Sequence, residues 1–106
     1  MELSKLRHKI DEVDDELVQL FIKRMELSAQ VADYKKSHNL PIFVPAREQE
    51  ILQIVAEKSG KEMASYTIEL YQILFTLSRK YQQNRNAAST PSSQESIKSH
   101  NEIRKI

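Results

Sequence analysis

The chain has 106 residues, a formal net charge of +1 from 16 basic and 15 acidic side chains, one glycine, three prolines and no cysteine. That length allows one domain, and the balanced charge gives no whole-chain field for nucleic acid or an anionic membrane. Without cysteine there are no disulfides or thiolate metal sites, which suits a cytoplasmic protein, and neither a signal-peptide core nor an apolar run of ~20 residues is present.

With 40% apolar residues, 29% charged residues and a single glycine, the composition is that of a helix-rich chain; sheets with tight turns would want more glycine. The first element is predicted from about Ser4, a candidate N-cap, to about Ser37, a stretch containing neither glycine nor proline. Leu3, Leu6, Ile10, Val13, Leu17, Leu20, Leu27, Val31 and Tyr34 recur at alternating steps of three and four. They mark one stripe of the helix, the stripe that should be buried. At ~1.5 Å per residue such a helix is roughly 50 Å long, too long to bury its stripe against the few residues that follow. A second copy of the chain is the expected partner.

The segment H-N-L-P-I-F-V-P (residues 38–45) breaks this helix, because the residue before each proline is biased to extended backbone. A second helix is expected from Pro45, a good first-turn residue, with Glu48, Ile51, Leu52 and Val55 inward and a stop near Ser59-Gly60. A third is expected from about Ala64 to about Arg85, with Met63, Leu70, Leu74, Leu77 and Tyr81 on its core stripe. This gives an all-α domain over residues 1–85. Residues 86–106 read as a polar linker or tail in which 97–106 can form a short helix.

Four polar features interrupt the apolar stripes. Arg24 fills the one step between Leu20 and Leu27, and Lys35 lies eleven residues on, three turns plus about 20°, on the same face. Glu48 opens the second helix, and Tyr71, Phe75, Ser78 and Gln82 form a row that turns from aromatic to polar. Each alone has a simple account: a snorkelling or glutamate-paired arginine, a solvated lysine, a glutamate at a helix N-terminus, a helix end meeting water. Together they place polar groups where three helices should have core, and isolated buried polar groups are costly. One wet, cation-rich pocket in a helical bundle explains all four.

Arg24, Lys35 and Arg47 suit carboxylates or phosphates. Ser78 and Gln82 supply neutral hydrogen bonds, and Glu48 can accept from a hydroxyl. The expected ligand is small, multiply anionic and hydroxylated. No glycine-rich phosphate loop is possible, and His8, His38 and His100 lack the spacing of a metal site. An enzyme built this way works by positioning and electrostatics.

The series L-R-H-K-I-D-E-V-D (6–14), K-R-M-E-L (23–27), Lys35 and P-A-R-E (45–48), with Ser78 and Gln82 in the last helix, resembles the all-helical chorismate mutases. The resemblance covers residues 3 to 85. It implies an intertwined homodimer of three helices per chain with shared active sites, rearranging chorismate to prephenate without a cofactor. It further implies that Arg24 binds a substrate carboxylate with Ser78 helping at the ring. Lys35 and Gln82 would donate to the ether oxygen, Glu48 would accept from the ring hydroxyl, and Arg47 would support the polar network. Arg7, seventeen residues and ~25 Å before Arg24 along the helix, would have to come from the partner chain. In one respect the sequence departs from the family: Val44 stands where many members have an aspartate before the Pro-x-Arg-Glu element. Two alternatives stay open, an isochorismate-pyruvate lyase on a related fold and a non-catalytic helical dimerisation or regulatory module. The carboxylate of Glu48 favours the mutase.

Overall fold

The computed structural model describes residues 2–87, which form two long helical runs, α1 (Leu3–Ser37) and α2 (Pro45–Ala87), and no strand. The expected tail at 86–106 and its short helix lie outside the described residues, apart from the last turn of α2.

α1 begins one residue earlier than Ser4. Its N-cap is Glu2, whose carbonyl accepts from the amides of Lys5 (3.1 Å) and Leu6 (3.3 Å) and whose side chain makes no capping bond. Ser4 is therefore already inside the first turn, where its hydroxyl is no cap. At the other end the helix is stopped by Asn39 rather than by the proline. Asn39 adopts φ 55°, the left-handed conformation that asparagine tolerates best after glycine. Its amide bonds the Lys36 carbonyl (3.3 Å), and the Leu40 amide bonds the Lys35 carbonyl (2.8 Å). This paired closure consumes carbonyls the helix end would otherwise leave open, and Lys35 and Lys36 complement the negative end of the helix dipole.

The second and third expected helices exist as two arms of α2. Pro45 is the first helical residue, and the Val44 carbonyl accepts from the amides of Arg47 (3.1 Å) and Glu48 (3.3 Å). Gly60, at φ 81° and ψ 165°, breaks the helical dihedrals between arms 45–59 and 61–87. The second arm starts at once, not at Ala64. One residue with φ and ψ open only to glycine makes the bend, so no connecting loop is needed.

The core lies between the second half of α1 and the second arm of α2: Ala29, Ala32, Phe75, Ser78 and Gln82 are its buried residues. The two alanines let the helices approach closely. The predicted α1 stripe is not buried within the chain, its members from Leu3 to Tyr34 being 44–62% exposed. The face that packs is the neighbouring one, through Phe21, Met25, Ser28, Ala29 and Ala32. Alternating steps of three and four average 3.5 residues, so on a 3.6-residue helix the stripe drifts ~20° every seven residues. One short neighbouring helix cannot follow it. On the second arm, likewise, Met63 and Leu70 are exposed and Leu74, Leu77 and Tyr81 half-buried; the row from Tyr71 to Gln82 packs instead. Among the described residues no helix is long and apolar enough to cross a membrane.

Candidate active site

Four segments meet at one cavity of about 120 Å³: the second half of α1, the 38–44 loop, the start of α2 and the end of its second arm. Seven anticipated residues line it, namely Arg24, Lys35, Val44, Arg47, Glu48, Ser78 and Gln82, together with Ser28, Ile42, Ile51, Phe75 and Arg79. Arg7 is not among them. It is exposed near the start of α1, ~25 Å of helix away from Arg24.

Arg24 is half-buried, and its guanidinium carbon lies 5.5 Å from the Tyr71 ring centroid and 5.8 Å from that of Phe75, within cation–π range. Its Nη1 donates to Ser78 Oγ at 3.4 Å. No carboxylate pairs with it among the described residues, so its charge is held by aromatic faces and a hydroxyl. Ser78 also accepts from Ser28 Oγ (3.5 Å) and donates to Met25 Sδ (3.7 Å). One turn further on, Gln82 donates from Nε2 to the Ser28 carbonyl at 3.2 Å, while its Oε1 is buried with no partner. An unpaired buried acceptor is rare enough to require an explanation, and Gln82 lines the same cavity as Arg24 and Ser78.

The loop is tied to α1 by Lys35, whose Nζ donates to the Ile42 carbonyl at 3.0 Å. An ammonium has three donors, so this tether leaves two for other acceptors. Arg47 is turned outward to Glu50 on its own helix. Glu48, in the first turn of α2, is held by Arg79 from the second arm, and the Arg79 guanidinium carbon also stands 4.9 Å from the Phe43 ring centroid. The cavity thus carries four cationic side chains and one carboxylate. Beyond it, Arg85 bonds both carboxylate oxygens of Asp33 (3.1 and 3.2 Å) and the Ala29 carbonyl (3.1 Å), clamping the second arm to α1 one turn past Gln82.

Arg79, Ser28 and the Arg85–Asp33 clamp were invisible to sequence periodicity. Arg79 is one residue off the Ser78–Gln82 row, and its partner Glu48 is 31 residues away across the Gly60 bend. Val44, by contrast, is legible in both: it caps α2 with its carbonyl alone, where an aspartate would add a side-chain acceptor for the first-turn amides. No group of three or more metal-ligating side chains is found among the described residues.

Residues 6–83 match the sequence profile of the family described as chorismate mutase type II. The chain belongs to that family. A 74-residue match is 32% identical to a chorismate mutase of Methanocaldococcus jannaschii, covering 68% of this chain and 75% of that protein. An 81-residue match is 27% identical to a 4-amino-4-deoxychorismate mutase of Streptomyces venezuelae, covering 71% and 75%. Over 61 residues the chain is 51% identical to the T-protein of Haemophilus influenzae, which is 55% of this chain and 16% of that one. The match therefore spans about a sixth of that much longer relative.

Proposed function

We propose that this chain is a chorismate mutase of aromatic amino acid biosynthesis, working in the cytoplasm as an intertwined homodimer. It would convert chorismate to prephenate by an intramolecular Claisen rearrangement. The observation that carries this reading is the convergence of Arg24, Lys35, Glu48, Ser78 and Gln82, from three separate segments, on one cavity in a chain of this family. The reaction breaks a C–O bond and forms a C–C bond within one molecule, so no group is transferred and no acid, base or nucleophile is required. The work left to a protein is to hold the substrate folded and to stabilise charge developing on the ether oxygen.

The side chains suit those tasks. Arg24, supported by Tyr71 and Phe75 and bonded to Ser78, is a fixed cation for one substrate carboxylate. Lys35 has donors to spare beyond its Ile42 tether, and Gln82 has a second amide hydrogen beyond its bond to Ser28. Both can donate to the ether oxygen, where a preorganised donor acts more on the transition state than on the ground state. Glu48 accepts from the ring hydroxyl, and Arg47 supports the network from the rim. The second substrate carboxylate is left to Arg7 of the partner subunit, since ~25 Å of helix keeps a chain's own Arg7 out of its own cavity. The exposed α1 stripe supports the dimer that this requires.

The alternative lyase chemistry would release pyruvate from isochorismate. A single assay separates the readings: purified protein is given chorismate or isochorismate and the products resolved by chromatography. Prephenate from chorismate is the expected result. Salicylate and pyruvate from isochorismate alone would establish the lyase, and no consumption of either by a folded dimer would leave a non-catalytic module. The Streptomyces relative is named for a substrate with an amino group, and the Arg79–Glu48 pair bears on which group this chain prefers at that place.

A further inference from the structure

We propose that Arg79 is a specificity-determining residue, which through Glu48 makes the cavity select a neutral hydroxyl over an ammonium on the ligand ring. This rests on the chorismate mutase reading and goes beyond it, because Arg79 had no role there.

Among the described residues, Glu48 is the only acidic one lining the cavity. Alone, a carboxylate in that position would prefer a cation: an ammonium on the ligand ring would form a charge-assisted pair with it, stronger than a neutral hydroxyl's hydrogen bond. Arg79 changes this. Its Nη1 is bonded to Glu48 Oε2, so the carboxylate already has its counter-charge. The remaining lone pairs of Glu48 can still accept a hydrogen bond from a hydroxyl. An arriving ammonium would instead meet a neutralised carboxylate with a guanidinium beside it.

The position of Arg79 is set from outside the pair as well. The Phe43 ring lies 4.9 Å from its guanidinium carbon, so the loop, the first arm and the second arm meet at this one side chain. The other cations of the cavity are engaged differently: Arg24 with Ser78 and two rings, Lys35 with the Ile42 carbonyl, Arg47 with Glu50. Arg79 is thus the cation that answers the acid. Two like charges ~5 Å apart at the effective dielectric of a protein surface disfavour each other by more than tenfold in an equilibrium constant. With side-chain exposures of 33% and 24% for Arg79 and Glu48, solvent screening brings the expected discrimination to ~10-fold.

The test is kcat/KM for chorismate and for its analogue with an amine in place of the ring hydroxyl. It is measured on the full chain as wild type, Arg79→Met, Arg79→Gln and Arg79→Lys. Wild type should prefer the hydroxyl substrate by ~10-fold or more, both neutral variants should move the ratio ~10-fold toward the amine, and Arg79→Lys should stay within ~3-fold of wild type. An unchanged ratio in the neutral variants overturns the proposal, as does a lysine variant that shifts as far as the glutamine one. If circular dichroism shows the neutral variants unfolded, the wild-type ratio decides, and equal or better turnover of the amine overturns it. Wild type that consumes neither substrate removes the mutase reading and this inference with it, an outcome distinct from an active enzyme whose selectivity ignores Arg79.

Discussion

Replacing Lys35 with alanine removes two things at once, and the structure separates their consequences. The first is the 3.0 Å bond from Nζ to the Ile42 carbonyl, which ties the 38–44 loop to the end of α1. Losing a charged donor of this kind costs about 1 kcal/mol when the group is partly exposed, as Lys35 is. That loss should loosen the loop and appear mainly in KM and in the unfolding midpoint. The second, in the proposed mechanism, is a donor to the ether oxygen. Removing one preorganised donor from a developing oxyanion typically costs ~10²–10³ in kcat, about 2.7–4 kcal/mol. The expected result for Lys35→Ala is therefore a kcat at least ~10²-fold lower with a smaller change in KM. Prephenate formation measured under saturating chorismate, alongside urea unfolding of the same preparation, gives both numbers. Lys35→Met, which keeps the length of the side chain but no donor, should match alanine in kcat. A kcat within ~5-fold of wild type in either variant would refute the transition-state role, whatever happened to KM.

Gly60→Ala tests the bend. A Cβ there would meet nothing within 4 Å, so the penalty is purely that of φ 81° and ψ 165°, about 1–3 kcal/mol, read as a lower urea midpoint; unchanged or increased stability would mean the arms need no glycine between them. Gln82→Glu tests the amide: glutamine does not titrate, so wild-type turnover should persist through pH 7 to 8. The glutamate variant donates only when protonated, so its kcat should fall by about tenfold per pH unit once the pH rises above that carboxyl's pKa; matching profiles would place Gln82 outside the chemistry. Arg7→Ala and Arg24→Ala should each be severely impaired alone, yet mixing and refolding them should restore about a quarter of wild-type activity, since heterodimers then hold one intact shared site. A mixture no better than its components would show that the site is not shared.

What the sequence made legible was the set of chemical anomalies, not the surface they sit on. Arg24, Lys35, Glu48, Ser78 and Gln82 stood out because each is polar at a position where helical spacing calls for core, and they do line one cavity. The spacing failed in identifying the packed face. The spacing assigns the Leu3–Tyr34 stripe to a second copy of the chain and says nothing of the face that packs within one chain, which runs through Ala29, Ala32 and their neighbours. Alanine carries little weight in an apolar pattern, yet two alanines one turn apart are what allow close helix approach. The Asn39 closure also escaped notice, because proline is the louder helix-stop signal and the asparagine needed its φ to be seen. Arg79 could not be inferred from position at all. Its pairing with Glu48 depends on the Gly60 bend folding the two arms back upon each other.

The unburied stripe and the remote Arg7 have one explanation in the proposed dimer. Steps of three and four make Leu3, Leu6, Ile10, Val13, Leu17 and Leu20 the a and d positions of successive heptads, with Arg24 itself at an a position. The drift that prevents a single chain from covering this stripe is the drift that a supercoiled second copy follows. Positions immediately after a d residue flank such a seam and reach across to the facing helix. Arg7, after Leu6, and Lys35, after Tyr34, both occupy that flank, a whole number of heptads apart. An isologous pairing that sets one copy's Arg7 beside the other's Arg24 must run the helices antiparallel, with the two-fold axis midway between positions 7 and 24, at Asp15–Glu16. Val13 and Leu17, seam residues on either side of that point, then meet across the axis, Val13 of each copy facing Leu17 of the other. The length of α1 follows from the same constraint. A helix beginning near residue 20 would pack its own α2 no worse, since residues 2–20 are all exposed within the chain, but that truncation would leave the partner's cavity without its second arginine.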